Sequence, residues 1–560
     1  MRASFSFPIT QRRYSPATGT LLSVALAIPA FPPYEIYSLM WVALVPWLLS
    51  IVRCKTALDA TIQGYWMNLL VGLGWGSWVP AAVSEYLGVS TAAGLAALFV
   101  NASFHQLHFV LFAPAFHWLA RSARGDFGIP QLRIAVLLFA GLDWLLPNVF
   151  QHTVGWALHS SNAFVQLVEL GGPLVLTLLI LLANVALFTL VHEGMTYSRN
   201  AADWSRRSVP VIALVSGVLF TGWVFGAHRY AQVSQAIERP LQTLQVGLVQ
   251  GNVRNELRRR WASGDIEAAR EALRLYIGQT EELLGREDRP PDLILWPETA
   301  YPGIFRRPES EAQANLNVAL DQYIAERARP FIFGAYDRED RIDRRVLRNA
   351  IFFVQPQAGQ ARSALSPMDV YHKHILFPVG EYLPFASESF IRKWLPRAGS
   401  FTTGSGPKVF DVFVSDDQPA VRMGPTICYE DLFPSHALAL AELGAQLIVN
   451  VSNDSWFGDR GLPRFHLIVA KLRSIETRLP QVRATNTGYS GLVLPNGEVP
   501  YASDYGKTQT MNLAVPIIAP HETLIMTTGD WVGRTSLGFS LLGLFWLRSA
   551  SRPRNQEGAD

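Results

Sequence analysis

The sequence predicts a polytopic α-helical membrane protein, with about eight transmembrane helices, that carries a water-facing α/β domain. Three observations predict it. The chain of 560 residues is 49% hydrophobic and only 17% charged, too apolar for an ordinary soluble protein of that length. Its apolar residues crowd into the first 230 positions and one short stretch near the end. Residues 240–520 instead have ordinary soluble composition and alternate between strand-like and helix-like spacing.

A spanning helix needs about 20 mostly apolar residues. Eight segments are candidates, at roughly 18–32, 35–52, 60–79, 91–119, 132–149, 171–193, 208–228 and 530–547. The first two are separated only by "FPPYE" and form a tight hairpin or one broken pair. The fourth is long enough to continue past the bilayer. This gives a membrane domain over 1–230, a water-facing domain over 240–520, a last span over 530–548 and a tail over 549–560.

Lys and Arg stay on the cytoplasmic side of a membrane protein, so they set the orientation. Arg2, Arg12 and Arg13 precede the first span, and Arg53 and Lys55 follow the second. Arg121, Arg124 and Arg133 lie between the fourth and fifth, and Arg199, Arg206 and Arg207 between the sixth and seventh. Arg548, Arg552 and Arg554 follow the last. The opposite loops, near 80–90 and 150–170, carry no Lys or Arg. Both termini are therefore expected inside and the 240–520 domain outside. "AIPA" in the first span resembles a cleavage site, but a second span follows at once, so retained anchors are expected. The net charge of +3 gives no argument for nucleic acid.

The chain has two cysteines. Cys54 falls in an inside loop and Cys428 in the outer domain, so they cannot pair within one chain. Cys428 is then either an inert buried thiol or a nucleophile.

Within the outer domain, 241–252, 292–300, 330–337, 349–354, 420–431 and 445–454 read as strands. Residues 481–499 read as paired strands with an Asn-Gly turn, and 262–285, 309–328, 434–443 and 463–479 have helical spacing. Such alternation predicts an α/β sheet domain, whose reactive groups sit just beyond strand ends. Glu298 and Cys428 both occupy such ends, and Lys373 lies in a strand-and-loop stretch. A thiol becomes a good nucleophile on losing its proton. A carboxylate beside it can serve as general base. A nearby ammonium favours the thiolate and then the charge of a tetrahedral intermediate. Taken singly, each of these residues also fits a plain structural role.

The stretches "WPETAYP", "YHKHILFPVGEYLPF", "GPTICYEDLFP" and "SNDSWFGD" resemble, in order, the signatures of the nitrilase (carbon-nitrogen hydrolase) superfamily. "VQGN" at 249–252 and "LRSIETRLPQVRATNTGYSGLVLPNGEV" at 472–499 extend the match. With the apolar spans, the resemblance is to the membrane-embedded branch of that superfamily, the apolipoprotein N-acyltransferases. It implies a four-layer α-β-β-α sandwich and a Glu-Lys-Cys triad. Glu298 would be the general base, Lys373 the oxyanion stabiliser and Cys428 the nucleophile. Glu381 in "PVGEY" would be a second essential carboxylate. Tyr429 and Glu430 would be the pair after the cysteine, and Asn349 a polar residue lining the site. Trp261 lies near the family's mobile arm, although its spacing from "VQGN" is longer here.

The implied reaction is ping-pong acyl transfer. A phospholipid acyl donor esterifies Cys428 as a thioester. The α-amino group of a diacylglyceryl apolipoprotein acceptor then takes the chain. The implied location is the bacterial inner membrane, multi-pass, with the catalytic domain periplasmic. No cofactor, metal or nucleic acid is implied, and nothing demands more than a monomer. The rivals are a membrane-tethered amidase or nitrilase acting on a small amide, and a transporter or sensor whose outer domain binds a ligand.

Four features stay open on the sequence alone. His372 and His374 flank Lys373 but complete no zinc pattern. His105, His108 and Asp143 lie in spans, where function and helix packing are both open readings. The run "RRRW" at 258–261 could touch phospholipid head groups or form a solvated helix face. "SNDSWFGD" could shape the pocket or form an Asx-rich turn.

Overall fold

The computed structural model describes residues 15–122, 127–146, 148–197, 201–286, 289–340, 345–356, 368–378, 380–383, 401–414, 418–458 and 461–550. Arg2, Arg12, Arg13, Arg124, Arg199, Arg552, Arg554 and most of the C-terminal tail lie outside the described residues, as does the side chain of Arg207.

Each apolar segment folds as helix. In chain order they are α1 (Pro16–Ala27), α2 (Val45–Arg53), α3 (Ala57–Trp75), α4 (Val79–Leu87), α5 (Thr91–Phe104), α6 (His108–Ser122), α7 (Ile129–Leu145), α8 (Pro173–Tyr197) and α9 (Ala201–Glu238). Among the described residues, three segments are long and apolar enough to cross a membrane by length and composition: Thr91–Ser122, Pro173–Met195 and Trp204–Glu238. Pro16–Ala30 and Tyr37–Arg53 are apolar but shorter. The expected count of eight spans is therefore not reproduced by helix length and composition.

The fourth candidate is not one helix. It breaks between α5 and α6 at His105-Gln106-Leu107. Asn68 of α3 explains why a break is tolerated there: its amide donates to the carbonyls of Ala102 (3.0 Å) and Ser103 (2.9 Å). Its oxygen accepts from the Gln106 backbone N–H at 2.7 Å. A freed backbone group in an apolar setting needs such a partner. His105 stacks on Trp75 with centroids 4.5 Å apart, and His108 pairs with Asp143 at 3.3 Å, which favours the packing reading for these residues. The loop near 80–90 holds α4, and 150–170 holds two 3₁₀ segments, Val154–Ser160 and Phe164–Leu170.

The α/β domain runs β1 (Gln242–Gln250), α10 (Asn255–Ala262), α11 (Ile266–Arg286), β2 (Leu293–Leu295), α12 (Glu311–Arg327), β3 (Phe331–Asp340), β4 (Arg345–Val354), β5 (Met368–His372), β6 (Phe410–Val412), β7 (Val421–Ile427), α13 (Pro434–Glu442), β8 (Leu447–Ser452), α14 (Leu462–Thr477), β9 (Gln481–Thr485), β10 (Gly491–Val493), β11 (Tyr501–Ala502) and β12 (Gln509–Ile517). A last helix, Trp531–Ala550, returns to pack on α7. Gly141 permits this, since a Cβ there would lie 2.6 Å from the Leu537 Cα.

Two six-stranded sheets form, in the orders β12-β1-β2-β3-β4-β5 and β11-β10-β9-β8-β7-β6. Leu244, Val246 and Leu248 of β1 point into the core between the sheets, with Val449 and Val451 of β8. Val249 points the other way, into the layer made by α11 and α12. This is the period of two expected of a strand buried on both faces. α14 covers the other sheet and shares one apolar cluster with the membrane-region helices, through Phe465, Val469 and Leu472. The layers are α-β-β-α.

Three strands, β6, β11 and β12, go beyond those expected from the sequence. β12 matters most, because it pairs along all of β1, from Gln242↔Ile517 to Gln250↔Gln509. The Asn496-Gly497 turn joins β10 to β11, not β9 to β10, and Gly497 adopts the φ of +85° that such a turn requires.

Candidate active site

Three loops at strand ends bring the polar residues together. Cys428 is the first residue after β7 and has φ +49°. A non-glycine residue in the left-handed region is strained by about 1–3 kcal/mol. The chain turns there directly into a 3₁₀ turn over Cys428–Leu432. Because that strain belongs to the backbone, Cys428→Gly should be more stable than Cys428→Ala by about 1 kcal/mol. Paired thermal melts of the two variants check this; equal midpoints would remove the strain argument.

Glu298 follows β2 through Trp296-Pro297. β3 presses closely against this loop, and Gly334 allows it: a Cβ there would lie 2.6 Å from the Glu298 Cα. Lys373 follows β5. Its N–H donates to the Asn349 carbonyl at 2.9 Å, and its carbonyl accepts from Gly404 at 2.7 Å.

The side chains interlock. Lys373 Nζ lies 2.8 Å from Glu381 Oε2 and 3.9 Å from Glu298 Oε1. Asn349 Nδ2 donates to both carboxylates, at 2.6 Å to Glu298 and 2.9 Å to Glu381. Glu381 is fixed further by the Phe377 N–H at 2.7 Å. Glu298, Asn349, Lys373 and Glu381 are all buried.

Glu430 is a strut under this arrangement. One oxygen accepts the Ile427 N–H at 2.8 Å, just before Cys428. The other accepts the N–H groups of His374 (2.6 Å) and Ile375 (3.1 Å), just after Lys373, and the Tyr371 hydroxyl (2.6 Å). One carboxylate thus ties the cysteine turn to the lysine loop. The Tyr429 hydroxyl donates to the Val149 carbonyl, linking the same turn to the segment after α7.

The electrostatics define the resting state. Burial pushes the Cys428 thiol well above its ordinary pKa, the Glu298 charge adds to this, and Lys373 opposes it. Burial likewise raises the Glu298 carboxyl; Lys373 pulls it down and Glu381 pushes it up. For Lys373, burial disfavours the ammonium, but Glu381 and Glu298 outweigh that and hold its pKa above the usual value. These influences favour the protonated thiol at rest. Glu298 is the carboxylate whose charge acts most strongly on it.

Glu298, Asn349, Lys373, Glu381, Cys428 and Tyr429 line one cavity of about 470 Å³. The opposite walls are apolar, with Trp78 and Val79 at the start of α4, Phe150, Phe377, Trp456 and Phe457 among them. Trp456 and Phe457 come from "SNDSWFGD", so that stretch shapes the pocket, and a 3₁₀ turn over Asp454–Trp456 lies within it. His372 pairs with Asp337 at 2.8 Å. Trp261 is on α10 but outside the cavity lining; its ring stacks at 5.6 Å from the Arg258 guanidinium, which does line it.

Sequence reasoning missed two features. Tyr86 of α4 lines the cavity and donates to the Gly380 carbonyl at 2.7 Å. Cys428, Asp454 and His466 bring a sulfur, an oxygen and a nitrogen within 4.8 Å of one another. Asp454 is already held by His466 (2.9 Å) and Ser452 (3.0 Å) and faces Arg483 at 3.3 Å. Burial raises its carboxyl, but His466 and Arg483 outweigh that and lower it to about 2. No local spacing signals a group drawn from three separate elements.

Comparison with known proteins agrees with this architecture. The family model "Carbon-nitrogen hydrolase" matches residues 246–515, and "Apolipoprotein N-acyltransferase N-terminal domain" matches residues 23–186. The chain is similar to the apolipoprotein N-acyltransferase of Gloeobacter violaceus, 29% identical over 98% of this chain and 97% of that one. It is also similar to those of Bdellovibrio bacteriovorus (28% identical; 86% of this chain, 84% of that one) and Geobacter metallireducens (27%; 86% and 85%). The two family matches lie in the order, and on the two parts of the molecule, that the fold separates. The chain therefore belongs to the carbon-nitrogen hydrolase superfamily, in the branch whose members carry the apolipoprotein N-acyltransferase N-terminal domain.

Proposed function

We propose that this chain is a phospholipid:apolipoprotein N-acyltransferase that works through a thioester on Cys428. The observation that carries the reading is one cavity with two kinds of wall. Glu298, Lys373 and Cys428 stand on one side, and apolar side chains of the helices before and after residue 90 stand on the other. A hydrolase of small amides has no use for such a wall, whereas an acyl chain does.

In the first half-reaction the Cys428 thiol gives its proton to Glu298 as sulfur attacks the ester carbonyl of the donor lipid. Lys373 Nζ stabilises the oxyanion. The ester C–O bond breaks, and the lysophospholipid oxygen leaves with the proton from Glu298. In the second, the neutral α-amino group of a diacylglyceryl apolipoprotein attacks the thioester carbonyl and passes a proton to Glu298. The C–S bond breaks and the thiol is restored. Glu381 and Asn349 hold Lys373 and Glu298 in place, and Glu430 positions the loops. The apolar walls keep water from the thioester.

The catalytic domain would stand on the periplasmic side of the bacterial inner membrane, with both termini cytoplasmic. The Lys/Arg-free loops support this. Tyr86 and Gln166 come from them and Val149 borders the second, and each bonds to the catalytic domain. Both substrates would then reach the cavity by lateral diffusion.

The deciding experiment is intact-mass analysis of the protein mixed with phospholipid. The expected result is one fatty-acyl adduct, absent from Cys428→Ala and discharged by a diacylglyceryl peptide with a free amine. If Cys428→Ala still acylates that peptide, the thioester route is wrong. Discharge by water as fast as by the amine favours the amidase reading.

A further inference from the structure

The arginines of the 258–260 run do not behave alike. Arg259 and Arg260 are exposed, but Arg258 is only 8% exposed and lines the cavity that holds Glu298 and Cys428. Its hydrogen-bond partners are neutral, while its charge also acts on Glu298. Nη2 donates to the Thr299 hydroxyl at 2.5 Å, and the guanidinium charge acts on the Tyr336 hydroxyl. It also faces the Asn453 side-chain oxygen in that amide's satisfied orientation. The rings of Trp456 and Trp261 lie 5.3 Å and 5.6 Å away. Among the described residues, no carboxylate stands within ion-pair distance of it.

A buried charge is stable when an opposite charge or a full set of hydrogen bonds compensates it. Compare Arg478 and Arg483, also buried, which pair with Glu169 and with Asp431 and Asp454. Arg258 has only neutral partners and opens on a cavity. Its helix is held in place: Asn255, one turn earlier, donates to Glu85 (2.7 Å) and to the Ser455 carbonyl (3.2 Å). The guanidinium fork matches a phosphate's oxygens in a way a lone ammonium does not.

We propose that Arg258 is the receptor for the phosphodiester anion of the lipid donor, fixing the head group so that the ester carbonyl reaches Cys428. This inference rests on the function proposed above. The competing role is electrostatic support of Glu298, which would affect every acyl donor alike.

The test compares two donors with the same acyl chain, a diacyl phospholipid and a p-nitrophenyl ester, in single-turnover acylation of Cys428 read by intact mass. The ratio of the two rates should fall at least about ten-fold in Arg258→Gln, the scale of one charge-assisted hydrogen bond, and less in Arg258→Lys. Because the ratio is internal to each variant, partial misfolding cancels. An unchanged ratio overturns the proposal.

A second measurement needs no variant. A diether phospholipid, which cannot be cleaved, should block acylation of the wild-type chain by the p-nitrophenyl ester at a roughly ten-fold lower concentration than a diether glycerol. Equal inhibition overturns the subsite. Inorganic phosphate competing as well as the diether lipid would mark a free-anion site and overturn the lipid assignment. If the wild-type chain takes acyl groups from the p-nitrophenyl ester but never from phospholipid, the proposed function falls and the subsite with it. If phospholipid acylation is normal and only the ratio fails to move, the subsite alone falls.

Discussion

Glu298→Gln is expected to slow acylation of Cys428 by about 10³-fold, in the middle of the range for a general base. The argument rests on the state of the thiol. Burial and the neighbouring carboxylate hold its pKa far above neutrality, so thiolate is scarce at rest. The proton must leave as sulfur attacks. The substituted amide would keep the hydrogen bond that Asn349 makes to Glu298 at 2.6 Å, since an amide oxygen can accept it. The shape would survive and the base would not. The same reasoning gives a pH dependence. The Glu298 carboxyl is raised by burial and by Glu381, and only its ionised form accepts a proton. The acylation rate should therefore climb with pH through a carboxyl pKa above the ordinary range, and this limb should vanish in Glu298→Gln. Single-turnover mass spectrometry from acid to neutral pH reads both. A variant within about ten-fold of wild type, below the usual range for a general base, or one that keeps the limb, would remove Glu298 as the base.

Strand ends made Glu298 and Cys428 candidates, while the roles of the triad, Glu381, Asn349, Tyr429 and Glu430 were implied only by the family resemblance. Glu298 and Cys428 end strands whose apolar runs stop abruptly at polar residues. Helices α11 to α14, and the strands from β1 to β4 and from β7 to β9, appeared at their places because their periodicity is strong. β12 did not, since "QTMN" at 509–512 gives it a polar first half; its strand character comes from pairing with β1. The break at His105 was invisible for a similar reason: the partner that makes it tolerable is Asn68, far back in the chain. Arg258 shows the limit most clearly. Three consecutive arginines look identical in composition, and only the fold decides that one is buried beside Thr299 while two face solvent.

Loss of the Glu169 carboxylate should destabilise the protein by about 3–5 kcal/mol, the cost of leaving a buried charge unpaired. Glu169 lies in the 3₁₀ segment after α7, at the seam between the membrane-region helices and the catalytic domain. Its Oε2 accepts from Arg478 Nη2 at 2.6 Å, and its Oε1 from Arg229 Nε at 2.6 Å. Arg478 is fully buried just past α14, and Arg229 is largely buried on α9. Glu169→Ala would leave two guanidiniums facing each other in a poorly solvated seam. Gln166 and the Pro495 carbonyl still bond Arg478, at 2.7 Å and 3.0 Å, but neither carries a charge. The contrast with a paired removal is the informative part. Glu169→Leu with Arg478→Met takes out both members of the more buried pair and should recover more than half of the loss, because an apolar pair of similar volume can replace a buried ion pair. Thermal unfolding in detergent, with a double-mutant cycle, measures it. If Glu169→Ala and the double variant unfold together, the cost is one of packing and not of charge. α14 also carries His466, which touches Asp454 beside Cys428, so loosening this seam should reach the active site. Acylation should become slower in Glu169→Ala and return in the double variant, in step with the melting temperature.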